Sequence, residues 1–185
     1  SESRTGTFEI EMLPARNGDC LWITYGNDDE THLVMIDCGA VAAVDAAAAR
    51  ARSVERVELF ILTHIDADHI SGAIPLFEDP EVAGRIDEVW VNGFSQLRGF
   101  LSDPQGDAFS ALLDRDDRPF RWNGIEPGTT DHDRRVPPIA TDGVRHPQIE
   151  LPGGLRLTVL SPDHDGLRRL AQHWLAALDE LDPRR

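Results

Sequence analysis

Short segments of alternating hydrophobic and polar positions open the chain. Their spacing predicts three strands joined by turn-forming residues, and therefore an antiparallel meander: 7–13, 20–26 and 32–39. The pattern then changes, because the alanine-rich segment 40–54 has high helix propensity and the apolar run 57–63 is typical of a strand covered on both faces. The chain thus passes from a meander to a strand–helix–strand connection.

The rest of the chain continues this alternation. The pattern predicts a short helix over 70–79, a buried strand over 86–93 and a helix over 104–116. A hairpin over 147–162, turning at Pro152–Gly154, and an amphipathic helix over 164–181 follow. Segment 117–148 is rich in proline, glycine and charge, which predicts a long loop near the mouth of a functional site. We therefore expect one α/β domain over residues 1–185.

Composition limits the classes of partner. The formal net charge is −15, and every one of the 18 basic residues is arginine. Such a charge opposes non-specific binding to a polyanion, so activity on nucleic acid requires bound metal ions, a local arginine patch or another chain.

The two cysteines, Cys20 and Cys38, predict buried thiols and no disulfide framework. No apolar run approaches the roughly 20 residues that span a bilayer, and the start lacks a secretory pattern, so we expect a cytoplasmic protein without a membrane partner.

A group of polar residues follows the apolar run 57–63. The sequence "LTHIDADHISG" places His64, Asp66, Asp68 and His69 directly after the predicted strand and before the predicted helix. Ends of strands in α/β folds present side chains to ligands. Two carboxylates at this spacing repel each other unless cations compensate them, and imidazole with carboxylate is a donor set for zinc, iron or manganese. The motif therefore predicts a site for divalent metal ions.

Two simpler interpretations of this motif are weaker. Asp66 or Asp68 could cap the helix that begins near Ile70, but capping explains one aspartate at most. A calcium loop is disfavoured, since the spacing does not match the twelve-residue EF-hand pattern.

The motif also indicates a family. The run "THIDADHISG", preceded by "NGDCLWI" and "VMIDCG", resembles the metallo-β-lactamase fold superfamily, whose signature is His-x-His-x-Asp-His followed by glycine. Asp66 stands where the second histidine is usual. This variant is similar to the nuclease-like domain of bacterial DNA-uptake channel proteins and to related hydrolases of defence gene clusters. The resemblance implies the N-terminal part of a four-layer αββα fold.

The resemblance also assigns roles to the residues of the motif. His64 and Asp66 would hold a first metal ion, and Asp68 and His69 a second, with Asp68 as the catalytic residue. Zinc or manganese is implied, and the hard oxygen donor at position 66 makes magnesium possible as well. Asp37 would orient a ligand without binding metal itself.

Four further residues are weaker candidates for the site. Asp19 would support it like Asp37, although a turn or capping role is as good an interpretation. His132 and His146 lie in the predicted loop and could approach the metals, while Gln96 falls where relatives are expected to carry a histidine.

The family pattern further predicts missing parts. A complete fold has two similar halves, and its later metal ligands, an aspartate and a final histidine, come from the second half. We expect a C-terminal half, either cleaved from a precursor or encoded as a separate chain, to complete the site. The end at "LDELDPRR" is consistent with cleavage after Arg185 by a trypsin-like protease, and a truncation is an equal interpretation.

The resulting functional hypothesis is a dinuclear metal-dependent hydrolase. The favoured form is a phosphodiesterase that cleaves DNA in bacterial anti-phage defence. Proteolytic cleavage after Arg185 could activate it. A hydrolase of a small ester, lactone or lactam is one alternative, which the charge of −15 favours. A catalytically inactive regulatory half that binds metal is another.

Overall fold

The central element of the fold is a six-stranded mixed sheet with the strand order β1-β2-β3-β4-β5-β6. It is seen in a computed structural model that describes residues 6–15, 17–40, 44–64, 66–93, 108–126 and 139–181. The strands of this sheet are β1 (Thr7–Met12), β2 (Leu21–Gly26), β3 (Thr31–Ile36), β4 (Leu59–Ile61), β5 (Glu88–Trp90) and β6 (Arg121–Trp122).

The first three strands form the predicted meander. β1 pairs antiparallel with β2, and β2 pairs antiparallel with β3. From β3 onward the pairing is parallel, through β4 and β5 to β6. The carboxyl ends of β3, β4 and β5 therefore lie at one edge of the sheet, where α/β folds place ligands.

Helices cover one face of the sheet. They are α1 (Val44–Arg52), α2 (Ala67–Ile70), α3 (Ala73–Glu78), α4 (Pro80–Ala83) and α5 (Ala108–Leu113). Their buried side chains pack on sheet residues such as Trp22, Met35 and Phe60. Phe77 of α3 makes edge-on contacts with three phenylalanine rings, at centroid distances between 4.9 and 5.4 Å: Phe60, Phe109 and Phe120.

A hairpin lies on the opposite face. Its strands, β7 (Gln148–Glu150) and β8 (Arg156–Thr158), are joined through a 3-10 turn at Pro152–Gly154, as the sequence predicts. Leu157 and its neighbours pack on a second apolar cluster that includes Ile23, Val34 and Trp90. Alternate residues of β2, β3, β4 and β5 thus enter two separate cores.

The last helix matches its predicted bounds. α6 runs over His164–Leu181, and among residues 164–173, whose burial is described, Leu167 and Ala171 are buried. Within the described residues, no helix combines the length and the apolar character needed to cross a bilayer.

The short helix expected over 70–79 is present as α3 (Ala73–Glu78), and one separate helical turn precedes it and another follows it, as α2 and α4. Gly72 separates α2 from α3. Asp79 then ends α3, and its carboxylate accepts hydrogen bonds from the main-chain nitrogens of Glu81 and Val82, which begins α4.

The expected loop 117–148 is also interrupted. The two-residue strand β6 adds to the sheet beside β5. The buried side chain of Asn123 extends this contact, since its Oδ1 accepts from the nitrogen of Val91 at 3.1 Å and its Nδ2 donates to the oxygen of Val91 at 3.0 Å.

Tyr25, the single tyrosine of the chain, gives a spectroscopic test of the packing under the hairpin. It is 3% exposed and stacks on His32. Burial, together with the charge of Glu58, raises the pKa of Tyr25 to about 12.

We expect the phenolate absorbance of the native protein, measured by rapid mixing, to rise with a midpoint near pH 12. In the unfolded chain the midpoint should be about pH 10. The unfolded state releases this proton first, so the stabilisation from Tyr25 is complete below about pH 10 and is lost as the pH rises towards 12. A native midpoint near pH 10 would contradict the described burial.

Candidate metal centre

Two neighbouring strand ends build the candidate site. Asp37 follows β3, and Thr63 and His64 follow β4. The main-chain nitrogen of Asp37 donates to the oxygen of Ile61 at 2.8 Å, so the parallel pairing continues to the edge of the sheet. Asp37 has a φ of 56°, in the left-handed region that few residues other than glycine adopt. Backbone strain of this kind is common where a side chain must point at a functional site.

The carboxylate of Asp37 organises this edge. It is 2% exposed. Its Oδ1 accepts from the main-chain nitrogen of Thr63 at 2.8 Å, and its Oδ2 accepts from the Thr63 hydroxyl at 2.6 Å. Nδ1 of His69 lies 2.9 Å from the same Oδ2. A buried charge is tolerated when it is hydrogen-bonded in this way.

These bonds determine which nitrogen of each imidazole carries the proton. A carboxylate oxygen only accepts, so Nδ1 of His69 is the donor to Asp37. The Thr63 hydroxyl uses its one proton on Asp37, so Nδ1 of His64, 2.8 Å away, donates to Thr63. Each neutral imidazole is left with its lone pair on Nε2, the arrangement that orients a histidine for a metal ion.

The two motif carboxylates lie on the Nε2 side of these rings. Oδ2 of Asp66 is 3.6 Å from Nε2 of His64, and Oδ2 of Asp68 is 3.9 Å from Nε2 of His69. The two imidazole centroids are 3.8 Å apart. Asp66 is largely exposed and Asp68 about half exposed, whereas His69 is buried. The four motif residues therefore form two neighbouring imidazole–carboxylate pairs that open to solvent.

A role in helix capping does not account for these aspartates. The main-chain oxygen of Asp66 accepts from the nitrogens of His69 and Ile70, which begins α2. Among the described residues, neither the Asp66 nor the Asp68 carboxylate accepts a hydrogen bond from the main chain of this helix.

Close backbone contacts at three glycines hold the surrounding loops together. A Cβ on Gly18 would lie 1.8 Å from the main-chain oxygen of Asp68, and one on Gly72 would lie 2.4 Å from that of Cys38. A Cβ on Gly39 would lie 2.8 Å from the Cβ of Ala15. Only glycine permits these approaches, which is why "NGDC", "DCG" and "HISG" each contain one.

The donor set fits a divalent cation. Asp37 holds the two imidazoles close together, since one donor atom of each of Asp37, His64 and His69 lies within 4.8 Å of those of the other two. Across the part of the chain that is described, the only ion-pair partners of Asp37, Asp66 and Asp68 are histidines, and no arginine neutralises them. Several carboxylates beside imidazole nitrogens form a donor set that a bound cation stabilises.

Of the weaker sequence candidates, the described residues Asp19 and His146 are not part of this group. Asp19 is exposed, next to Gly18. His146 hydrogen-bonds to the Thr141 hydroxyl at 3.1 Å and lines a cavity of its own. Gln96 and His132 lie outside the described residues.

The two cysteines are buried free thiols beside the site. The hydrogen bond with Cys20 and burial raise the pKa of Cys38, so this thiol stays protonated at neutral pH. Cys38 is thus a buried thiol that packs against Cys20.

Sequence reasoning missed Thr63. Its main-chain nitrogen and hydroxyl both bind Asp37, and the hydroxyl also contacts His64. The one available signal was its position immediately before the motif.

A family model described as the metallo-beta-lactamase superfamily matches residues 13–153, which include every residue of the candidate centre. No curated protein matches the chain significantly.

Thr63 provides a test of the hydrogen-bond network. Thr63→Val removes the hydroxyl at nearly constant shape, so we expect the affinity for zinc or manganese to fall by about 10- to 100-fold, as for other residues that orient metal ligands. Calorimetric titration of the metal measures it. Thr63→Ser, which keeps the hydroxyl, is the control and should bind like wild type. Equal affinity in the valine variant would show that the network does not orient the ligands.

Proposed function

The chain belongs to the metallo-beta-lactamase superfamily, whose members are generally metal-dependent hydrolases, and on this premise we propose that it is a dinuclear phosphodiesterase that cleaves DNA. The observation that carries the proposal is the pairing of each motif imidazole with a motif carboxylate, on the side of the ring where the lone pair lies. Two such pairs offer donors for two cations at one edge of the sheet.

We assign a role to each residue of the motif. His64 and Asp66 hold one divalent ion, and Asp68 and His69 hold the other. Asp37 keeps its carboxylate on Thr63 and His69, and so positions the imidazoles without binding metal. When bound, the ions polarise the phosphate and stabilise both the entering and the leaving oxygen. Asp68 is the proposed catalytic residue, since its half-exposed carboxylate lies between the buried His69 and solvent.

The donor at position 66 supports the choice of metal and substrate. An aspartate there adds a hard oxygen, which suits manganese or magnesium as well as zinc. Two ions of this kind serve in-line displacement at phosphate. The variant motif is also the feature that resembles nucleases, and a cytoplasmic role in anti-phage defence rests on that resemblance alone.

We further propose that a second polypeptide segment completes the fold. Phe8, Ile10 and Met12 of β1 are 60%, 55% and 72% exposed. They lie on the same sheet face as their register partners in β2, Tyr25, Ile23 and Leu21. A continuous apolar strand face in water indicates an interaction surface. The C-terminal half of the αββα fold, cleaved or separate, is the proposed occupant and the source of the remaining metal ligands.

A hydrolase of small substrates is the second candidate. The net charge of −15 repels a polyanion and favours a small ester, lactone or lactam. A regulatory half without turnover is the third. Metal analysis separates it, since about two ions per complete molecule support an enzyme and one or none supports regulation.

Incubation of the complete assembly with plasmid and single-stranded DNA plus manganese tests the nuclease. We expect Asp68→Asn to reduce the rate of cleavage by at least about 100-fold, which is the cost of losing a residue that orients a metal ligand. The matched control is Asp45→Asn, the same change on the exposed surface of α1, which should cleave like wild type. DNA left equally intact by wild type and Asp68→Asn would refute the nuclease, and turnover of a lactone or lactam by the same sample would favour the second candidate.

A further inference from the structure

Two cavities adjoin beside the candidate metal centre. The first has a volume of about 410 Å³ and includes Thr63 in its wall. The second has a volume of about 370 Å³ and lies near the start of α6. Both are bounded by the same three residues, Leu160, Ser161 and Pro162. The metal centre, the first cavity and the second cavity therefore follow one another along the surface.

The walls of the first cavity are mainly apolar. Ile61, Trp90, Leu157 and Val159 supply much of them. Asn92 is also present, but its amide is used elsewhere: Nδ2 donates to the oxygen of Ile139 at 2.7 Å and Oδ1 accepts from its nitrogen at 2.8 Å. A cavity of this size with apolar and aromatic walls suits a flat organic ring.

The second cavity offers hydrogen-bond donors and positive charge. Thr141, His146, Ser161 and Arg169 line it. One carboxylate, that of Asp163, is also in the wall, and its Oδ1 accepts from the nitrogen of Gly166 at 2.6 Å. The Thr141 hydroxyl already donates to the oxygen of Arg145 at 3.0 Å. The guanidinium of Arg169, the imidazole of His146 and the hydroxyl of Ser161 remain, and together they are the chemistry that binds a phosphate.

Arg169 differs from most arginines of this acidic chain. Nine others in the described ranges meet a carboxylate or a main-chain carbonyl, among them its neighbour Arg168, which pairs with Asp165. Within those ranges no carboxylate pairs with Arg169 or with Arg145, which is adjacent to His146. A cavity-lining cation that no carboxylate of the described ranges pairs with is the local positive site that a chain of charge −15 needs in order to hold a nucleic acid strand.

We propose that the two cavities bind a single-stranded nucleotide segment, with a base in the apolar cavity and a phosphate between Arg169 and His146. This inference rests on the proposed phosphodiesterase function and specifies its substrate. The strand must be single, because a base enters such a cavity only after it leaves the duplex stack. The cavities thus extend the metal centre and present the adjacent phosphodiester to it.

Arg169→Gln tests the phosphate subsite, with Arg168→Gln as the matched control. Both variants lose one positive charge on the same helix, but only Arg169 lines the cavity. Binding of fluorescent oligothymidylate to the complete assembly, followed by anisotropy at several salt concentrations, should be weaker for Arg169→Gln. Its slope of log affinity against log salt should be smaller by about 0.7, the value for one phosphate of a single strand. Arg168→Gln should bind like wild type, and equal binding by the two variants would overturn the inference.

An abasic oligonucleotide tests the other cavity. Removal of the bases should weaken binding by wild type by at least roughly fivefold, the lower limit for one stacked base, while the difference between the two variants should remain. Unchanged affinity for the abasic strand would overturn the placement of a base.

Hydrolysis of bis(p-nitrophenyl) phosphate with manganese separates this inference from the proposed function. The ester is hydrolysed at the metal centre, so wild type and Arg168→Gln should hydrolyse it at the same rate. No hydrolysis by wild type would refute the phosphodiesterase itself. Normal hydrolysis combined with equal oligonucleotide binding by Arg169→Gln and Arg168→Gln would refute the subsite alone.

Discussion

The buried carboxylate of Asp37 is the interaction on which the candidate centre depends. It is 2% exposed, and its oxygens meet the main chain and hydroxyl of Thr63 and Nδ1 of His69. An uncompensated carboxylate in this position would be costly, so the two strand ends must stay in register to supply its partners. The same bonds direct the lone pairs of His64 and His69 towards Asp66 and Asp68. The buried carboxylate of Asp37 thus links the ends of β3 and β4 to the positions of the two imidazoles.

The rest of the fold maintains this geometry. Parallel pairing of β3 with β4 places Asp37 beside Thr63, and the helices on one face bury the neighbouring side chains of Cys38 and Leu62. Close contacts at Gly18 and Gly72 bring their loops against the motif and against Cys38. The opposite face carries the hairpin, whose last residues separate an apolar cavity from a polar one. The metal centre and the proposed strand-binding cavities therefore lie at the same edge of the sheet.

Local pattern predicted much of this architecture. The meander, α1, the hairpin turn at Pro152–Gly154 and the bounds of α6 follow from periodicity and turn chemistry. The motif His64 to His69 was visible because it concentrates ligand-type residues. The breaks at Gly72 and Asp79 and the strand β6 were not, since they depend on neighbouring elements and on capping within a short segment. Thr63 and Arg169 were missed for a related reason: a threonine or an arginine acquires its role from its spatial neighbours, and sequence spacing does not report them.

The tautomer of His69 tests the central claim most directly. Long-range proton–nitrogen NMR of the imidazoles, with His69→Ala to assign the resonances, reports which ring nitrogen carries the proton and which one responds to added zinc. We expect the Nδ1–H form of His69 in the metal-free protein, because Asp37 accepts that proton, and a zinc-dependent shift at Nε2. An Nε2–H tautomer, or a zinc response at Nδ1, would contradict the organisation of the centre around Asp37.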